Sequence, residues 1–162
     1  MRGGTWYHIY MPPAGQVIFP TDADCEQFLA RYAKLDIETF AYCLLPDHFH
    51  FLVRIADWDS AEQKLCLLFT TITIPRPILR IPLRTSLAVT PLVCYIHANP
   101  VSHDPDLQNW QWSSHQAIAT DTPTKIITSA TLSRLHELGW SREQQWQRED
   151  VRQISHLILH DS

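Results

Sequence analysis

The chain has 162 residues, of which 45% are hydrophobic and 19% are charged, with eleven prolines and four glycines. These proportions lie near the globular average and exclude a chain disordered throughout, and the length fits one domain that buries a core without disulfides or a structural metal. The formal net charge of −4 argues mildly against a nucleic-acid partner, because phosphate binding draws much of its affinity from Lys and Arg.

The first part of the chain predicts a strand and then a helix. Trp6-Tyr7-His8-Ile9-Tyr10 is aromatic and β-branched and ends before Pro12-Pro13, as a strand does. Thr21 to Asp24 then offers oxygens that can cap a helix. Apolar residues follow at the three- and four-residue spacing of one helix face: Phe28, Leu29, Tyr32, Ala33 and Leu35.

The next part predicts an antiparallel hairpin. Two runs rich in apolar residues, 39–45 and 49–55, are separated by Pro46-Asp47, a dipeptide typical of tight turns. A second helix is predicted to start at Asp59 or Ser60, with Leu65, Leu68, Phe69 and Ile72 on its apolar face.

The remaining elements follow several prolines. Residues 78–83 predict a short edge strand, and Ser86 to Ala98 predicts a third helix that Asn99-Pro100 ends. The order strand, helix, strand, strand, helix, strand is the split β-α-β arrangement of ferredoxin-like folds, in the α+β class with an antiparallel sheet. We expect a first domain over 1–120 and a C-terminal helical extension over 121–162, in which Leu132 to Leu159 is charged and amphipathic.

The cysteines and the apolar runs indicate a compartment. The cysteines lie far apart, without a C-x-x-C pair, and three of them sit in apolar runs, so we interpret Cys25, Cys43, Cys66 and Cys94 as reduced and structural. The start lacks the long apolar core of a secretory signal, and no run reaches the roughly eighteen apolar residues of a membrane span. We therefore expect a cytoplasmic protein with no membrane partner.

Charge is unevenly distributed along the chain. Between Gln63 and His103 there is no acidic residue, yet this segment contains Lys64, Arg76, Arg80 and Arg84. The local excess of positive charge fits phosphate binding, although a solvated basic loop explains it equally well.

His48-Phe49-His50 is a candidate metal site. Side chains two residues apart on a strand point to the same face, so both imidazoles could hold one cation. A pair of hydrogen-bonded histidines at a sheet rim is the alternative, and for an isolated H-x-H it is the better explanation. A catalytic site would need a further ligand, open coordination positions and a nucleophile.

Tyr95-Ile96-His97-Ala98-Asn99 offers both missing parts. On a helix, Tyr95 and Asn99 are four residues apart and share a face. Phenol is a poor nucleophile at its ordinary pKa near 10, so a divalent cation is expected beside a reactive tyrosine. The alternative makes Tyr95 a core aromatic and Asn99 a C-cap before Pro100, and we interpret His97 as structural.

Four blocks in order carry a family resemblance. They are Tyr7-His8-Ile9, the segment 41–54 around His48-Phe49-His50, the segment 95–101 that begins with Tyr95, and Trp112-Ser113-Ser114. Together they span roughly residues 5 to 120 and resemble the REP-associated tyrosine transposases, which belong to the single-tyrosine HUH nucleases and have an IS200-like transposase domain.

The resemblance implies an activity and a set of roles. It implies that 1–120 is a ferredoxin-like catalytic domain in which His48 and His50 hold Mg²⁺ or Mn²⁺ and Asn99 is a third ligand. Tyr95 would be the nucleophile that attacks a DNA phosphate and keeps the 5′ end as a phosphotyrosine, and a free 3′ hydroxyl would reverse the reaction.

The resemblance also implies a DNA partner. Members of the family recognise imperfect hairpins next to the cleavage point in single-stranded DNA, and here the candidates for DNA binding are Arg54, Lys64, Arg76, Arg80 and Arg84. A homodimer is possible, because the resemblance is compatible with either a monomer or a dimer.

Two departures from the family pattern leave other functions open. Asp47 stands where the family often has Asn, which places an extra carboxylate beside the metal, and the stretch from Leu65 to Tyr95 is compressed and proline-rich. The second hypothesis is therefore a catalytically impaired module that binds hairpin DNA. A third is a metal-dependent hydrolase of small phosphoesters that uses activated water.

Overall fold

The computed structural model describes residues 3–13, 15–104 and 110–141. Within these residues the strands are β1 (Thr5–Met11), β2 (Glu38–Leu45), β3 (His48–Ile55) and β4 (Leu79–Pro82). The helices are α1 (Asp22–Ala33), α2 (Trp58–Phe69), α3 (Val89–His103), α4 (His115–Ala119) and α5 (Ser129–Glu137), with a 3₁₀ turn at Ser86–Ala88 before α3.

The four strands form one antiparallel sheet in the order β2-β3-β1-β4. With α1 between β1 and β2 and α2 between β3 and β4, this is the ferredoxin-like arrangement, so the predicted fold class is confirmed. The predicted hairpin is confirmed too, because Pro46 and Asp47 alone join β2 to β3. His48 is therefore the first residue of β3.

The two faces of the sheet have different partners. On one face, the ring centroid of Phe51 lies 4.5 Å from that of Tyr32 on α1, and that of Phe49 lies 5.5 Å from that of Phe69 on α2. Because side chains alternate along a strand, His48 and His50 point to the other face. That face is covered by α3, which packs on β2 and β3.

Capping side chains set the starts of the first two helices. The predicted capping oxygens include those of Thr21 and Asp24, which form a capping box in which each side chain bonds to the other residue's backbone N–H. The second helix begins at Trp58, slightly earlier than predicted, because the Asp57 carboxylate accepts a hydrogen bond from the backbone N–H of Ser60.

The third helix is longer than predicted. It runs to His103, with Pro100 inside it, so the prediction that Asn99-Pro100 ends the helix is wrong, and Asn99 is not a C-cap. Pro100 removes a backbone donor, but Asn99 and Pro100 are buried, and the packing of this turn outweighs the local penalty. Asn99 consequently stays on the helix, one turn after Tyr95.

The segment after α3 adds a further connection to the sheet. The backbone N–H of Leu44 donates to the Trp112 carbonyl at 2.8 Å, and that of Ser114 donates to the Tyr42 carbonyl at 3.0 Å. His97 on α3 is buried, and its Nε2 lies 2.8 Å from Ser114 Oγ. This contact fits the interpretation of His97 as structural, since it joins α3 to the segment that lines β2.

The last described helix belongs to the same hydrophobic core. Leu132 and Leu135 of α5 are buried together with Ile127 and Trp140. The boundary at residue 120 stays a prediction, and the part of the amphipathic stretch after residue 141 lies outside the described residues.

Two further expectations concern the cysteines and the membrane. None of the four cysteines is in a disulfide; Cys25 and Cys43 are buried, Cys94 is half-buried and Cys66 is exposed. None of the helices in the described ranges is both long enough and apolar enough to cross a bilayer.

Candidate active site

The histidine pair on β3 is buried beneath α3. His48 is 1% exposed and His50 is 4% exposed, and their ring centroids lie 5.5 Å apart at an interplanar angle of 84°. Both rings occupy the face of the sheet that the alternation along β3 predicts. Two buried imidazoles thus lie close enough to act on one group.

Helix α3 places Tyr95 against His50, one member of this pair. The ring centroid of Tyr95 lies 5.7 Å from that of His50, with the rings at 90°, and 6.2 Å from that of His8. Tyr95 is half-buried, so one side of its ring packs on the histidines while the side chain keeps some contact with solvent. The structure therefore brings together two residues that lie 45 positions apart in the sequence.

Strand β1 contributes two residues that the sequence analysis did not assign to the site. Tyr10 pairs with His50 in the sheet register, and its ring stacks at 5.7 Å from the His50 ring and 4.6 Å from the His8 ring. His8 Nε2 lies 2.9 Å from His50 Nδ1, and the two nitrogens share a hydrogen bond. The block Tyr7-His8-Ile9 marked this strand as part of the resemblance, but only the strand order places it beside β3.

Each histidine of the pair uses its Nδ1 in a hydrogen bond. His48 Nδ1 lies 2.7 Å from a carboxylate oxygen of Asp47, and His50 Nδ1 bonds to His8. The second ring nitrogen, Nε2, is the one that an imidazole can then offer to a cation. The Asp47 carboxylate is thus linked to the site by its hydrogen bond with His48.

Asn99 lies one turn after Tyr95 and is buried. Its side-chain Nδ2 donates to the Tyr95 carbonyl at 3.3 Å, a bond that leaves the amide oxygen available as a ligand or acceptor. Burial raises the pKa of Tyr95, and a side-chain hydrogen bond from Asn99 opposes that rise. Burial raises the pKa of Tyr10, and the neighbouring Tyr95 raises it further, because two phenolate charges close together repel each other.

The donor set fits a divalent cation with open coordination positions. Across residues 3–13, 15–104 and 110–141, no three His, Cys, Asp or Glu side chains converge as a closed metal site would need. Two imidazole Nε2 atoms on one face can still hold a cation if the other ligands are the Asn99 amide oxygen, water or substrate oxygens. Nδ1 of His8 is also buried at this site, and it has no hydrogen-bond partner among the described residues.

The five predicted DNA-binding residues have different surroundings. Arg54 and Lys64 line a cavity of about 260 Å³ that also contains three carboxylates: Asp36, Glu38 and Asp57. Arg54 is six residues from His48 along β3, which is about 20 Å at the rise of a strand. Arg80 is on β4, and its guanidinium lies 4.1 Å from the ring centroid of Trp58 and 5.5 Å from that of Tyr7. The other two, Arg76 and Arg84, are exposed.

His8 predicts a pH dependence of stability. Burial lowers the pKa of His8 to about 3, against 6.5 for an ordinary histidine. Between these values the unfolded state binds the proton and the folded state does not, so His8 favours unfolding increasingly as the pH falls from 6.5 towards 3. The free energy of unfolding of His8→Gln, measured in urea from pH 7 to 4, should fall less steeply than that of the wild type.

The expected difference in the pH slope of the free energy of unfolding corresponds to one proton bound by His8 in the unfolded state. One titrating group changes the slope by at most about 1.4 kcal/mol per pH unit. Equal slopes for the wild type and His8→Gln would contradict the burial of a neutral His8.

Comparison with known proteins gives one informative match. The chain is similar to a solved structure of a REP-associated tyrosine transposase bound to a REP hairpin, with a TM-score of 0.56 and 21% sequence identity. The match covers 78% of this chain and 86% of the other. No family model and no curated protein matches the chain. At this identity the likeness shows a shared fold.

Proposed function

We propose that this protein is related to the REP-associated tyrosine transposases and acts as a single-stranded DNA endonuclease and strand transferase that recognises hairpin DNA. The observation that carries the proposal is the contact of Tyr95 with His50, on the face of the sheet where His48 also lies. The likeness in fold to a hairpin-bound transposase supports it. Single residues would each have a structural explanation, but a phenol packed on one of two neighbouring strand histidines would supply both parts of a phosphoryl-transfer site.

Tyr95 would act as the nucleophile in a reversible transfer. Its phenolic oxygen forms a bond to the phosphorus of a DNA phosphodiester, and the bond from phosphorus to the 3′ oxygen breaks. The 5′ end stays on Tyr95 as a phosphotyrosine, and the proton of the phenol balances the 3′ hydroxyl that leaves. A 3′ hydroxyl of another strand can then reverse these steps, so rejoining needs no external source of energy.

His48, His50 and Asn99 would hold Mg²⁺ or Mn²⁺. When bound, the cation supplies positive charge that polarises the phosphate and stabilises the leaving oxygen. Two imidazole ligands favour Mn²⁺ over Mg²⁺, because Mg²⁺ prefers oxygen ligands. Burial raises the pKa of the Tyr95 phenol, so an unassisted Tyr95 is protonated at neutral pH and needs such assistance.

Hairpin recognition would use the basic residues and the aromatic rings near them. Arg80 on Trp58 and Tyr7 is a cation held on an aromatic surface, which suits a phosphate beside an unstacked base. Arg54 and Lys64, at the other end of β3 from His48, could contact the backbone of a hairpin whose single-stranded flank reaches Tyr95. Arg76 and Arg84 are exposed and add charge for phosphate contacts.

The second candidate is a module that binds hairpin DNA without cutting it. The compressed, proline-rich stretch from Leu65 to Tyr95 favours this alternative, because it departs from the family pattern between the two halves of the site. Such a module would bind the same DNA and would form no covalent product. A homodimer remains compatible with either function.

One experiment tests these candidates together. The full chain is incubated with a pool of single-stranded hairpin oligonucleotides and Mg²⁺ or Mn²⁺, and the products are separated on a denaturing gel. A covalent adduct that requires the cation supports the proposed function. Hairpin binding in a native gel without any adduct or cleavage supports the binding module. Turnover of a small phosphoester without an adduct would indicate a hydrolase and contradict both candidates.

A further inference from the structure

Asp47 and His48 form a close pair at the turn of the β2–β3 hairpin. The Asp47 carboxylate is 31% exposed, the His48 side chain is 1% exposed, and 2.7 Å separates the Asp47 oxygen from His48 Nδ1. A contact this short is in the range of charge-assisted hydrogen bonds. The pair therefore extends from the solvent into the buried histidine site.

The chemistry of the carboxylate determines where the imidazole proton lies. An ionised carboxylate can only accept hydrogen bonds, so the proton of neutral His48 must be on Nδ1. The lone pair is then on Nε2, and the ring is held in one orientation. A carboxylate that orients a metal-binding histidine in this way also makes the ring a stronger ligand.

His50 has a partner of a different kind. Its Nδ1 bonds to Nε2 of His8, and a neutral imidazole nitrogen can donate or accept. The proton they share can therefore be on either ring. The tautomers of His48 and His50 can therefore be compared within one site, since a carboxylate bonds to one ring and an imidazole bonds to the other.

We propose that Asp47 is a positioning residue that holds His48 in the Nδ1–H tautomer and presents Nε2 as a preset cation ligand. The proposal rests on the proposed function for the identity of the cation. It gives Asp47 a role that an asparagine would perform less well, because an amide oxygen is a weaker acceptor and an amide can also donate.

The tautomer can be measured without a metal. In the metal-free, ¹⁵N-labelled full chain, two-bond ¹⁵N–¹H correlation spectra distinguish Nδ1–H from Nε2–H, and His48→Gln identifies the His48 signals. We expect Nδ1–H at His48 in the wild type and a shift towards Nε2–H in Asp47→Ala. Asp47→Asn, which keeps an oxygen acceptor, should lie between them. Glu62→Ala, which removes an exposed carboxylate on α2, is the control and should leave the spectrum unchanged.

Affinity for Mn²⁺ provides the second readout. Titration calorimetry should give a dissociation constant about 10- to 100-fold higher for Asp47→Ala than for the wild type, with a smaller increase for Asp47→Asn. Thermal unfolding identifies any variant that does not fold, and in that case Asp47→Asn carries the comparison.

The two readouts separate this proposal from the proposed function. If the wild type binds Mn²⁺ and cleaves DNA while Asp47→Ala keeps both the tautomer and the affinity, the positioning role is overturned and the proposed function stands. If the tautomer shifts but the wild type binds no divalent cation, Asp47 orients His48 as we propose and the metal-dependent function fails.

Discussion

Replacing Tyr95 with Phe should lower the yield of a covalent protein–DNA adduct by about 10³-fold or more, because it removes the attacking oxygen. The Tyr95 ring lies perpendicular to the His50 ring, and Phe keeps that contact. We therefore expect the affinity for hairpin DNA, measured in a native gel, to remain within about twofold of the wild-type value, because the packing of the ring is unchanged. The adduct is measured on a denaturing gel with labelled hairpin DNA and Mn²⁺.

Tyr10→Phe is the matched control for this substitution. Tyr10 is a second phenol at the same histidine and stacks on His50 at 5.7 Å. Its replacement removes a hydroxyl from the same surroundings and keeps the stacking, so the adduct should still form. Loss of the adduct in Tyr10→Phe but not in Tyr95→Phe would show that the nucleophile is Tyr10 on β1 and would contradict the role of Tyr95.

The second large effect is expected for His50. His50→Ala removes one of two imidazoles that would hold the cation, and a metal ion contributes several kcal/mol to a transition state of this kind. Cleavage measured at saturating hairpin DNA should therefore fall by about 10³-fold. The affinity for Mn²⁺, measured by calorimetry, should fall in the same variant.

The control for His50→Ala is His136→Ala. His136 is exposed on α5, where it pairs with Asp121 at 3.1 Å, and its loss should leave cleavage and cation binding unchanged. Cleavage that persists in His50→Ala and still requires Mn²⁺ would show that other residues hold the cation. A variant that no longer binds hairpin DNA would instead indicate that the β3 hairpin is misfolded.

The hairpin that carries the histidines could be predicted because its signals are local. A two-residue turn at Pro46-Asp47 sets the register of β2 and β3, and alternation along β3 then puts His48 and His50 on one face. The order of strands and helices was sufficient for the ferredoxin-like class. These features need only neighbouring residues and a regular pattern.

The part of the site contributed by β1 depends on nonlocal pairing. His8 and Tyr10 meet His50 only because β1 lies between β3 and β4 in the sheet. Spacing along the chain does not contain that order, and a histidine in an aromatic strand is most simply read as core. The hydrogen bond between His8 and His50 therefore emerged only from the structure.

For the end of α3, a local signal gave a wrong prediction. Pro100 signals a helix end, and the local signal is a sound one, but the buried turn that contains Asn99 and Pro100 continues the helix to His103. Basic residues that are close in sequence also differ in their surroundings: Lys64 lines a cavity with three carboxylates, whereas Arg80 stacks on Trp58 and Tyr7. Spacing along the chain does not predict these partners.

Mapping the modified residue tests the central claim most directly. The adduct formed with hairpin DNA and Mn²⁺ is digested with nuclease and protease, and mass spectrometry locates the nucleotide that remains on the peptide. We predict a 5′-phosphonucleotide on Tyr95. A nucleotide on Tyr10 or on any other residue, or cleavage of the DNA without a covalent intermediate, would contradict the account.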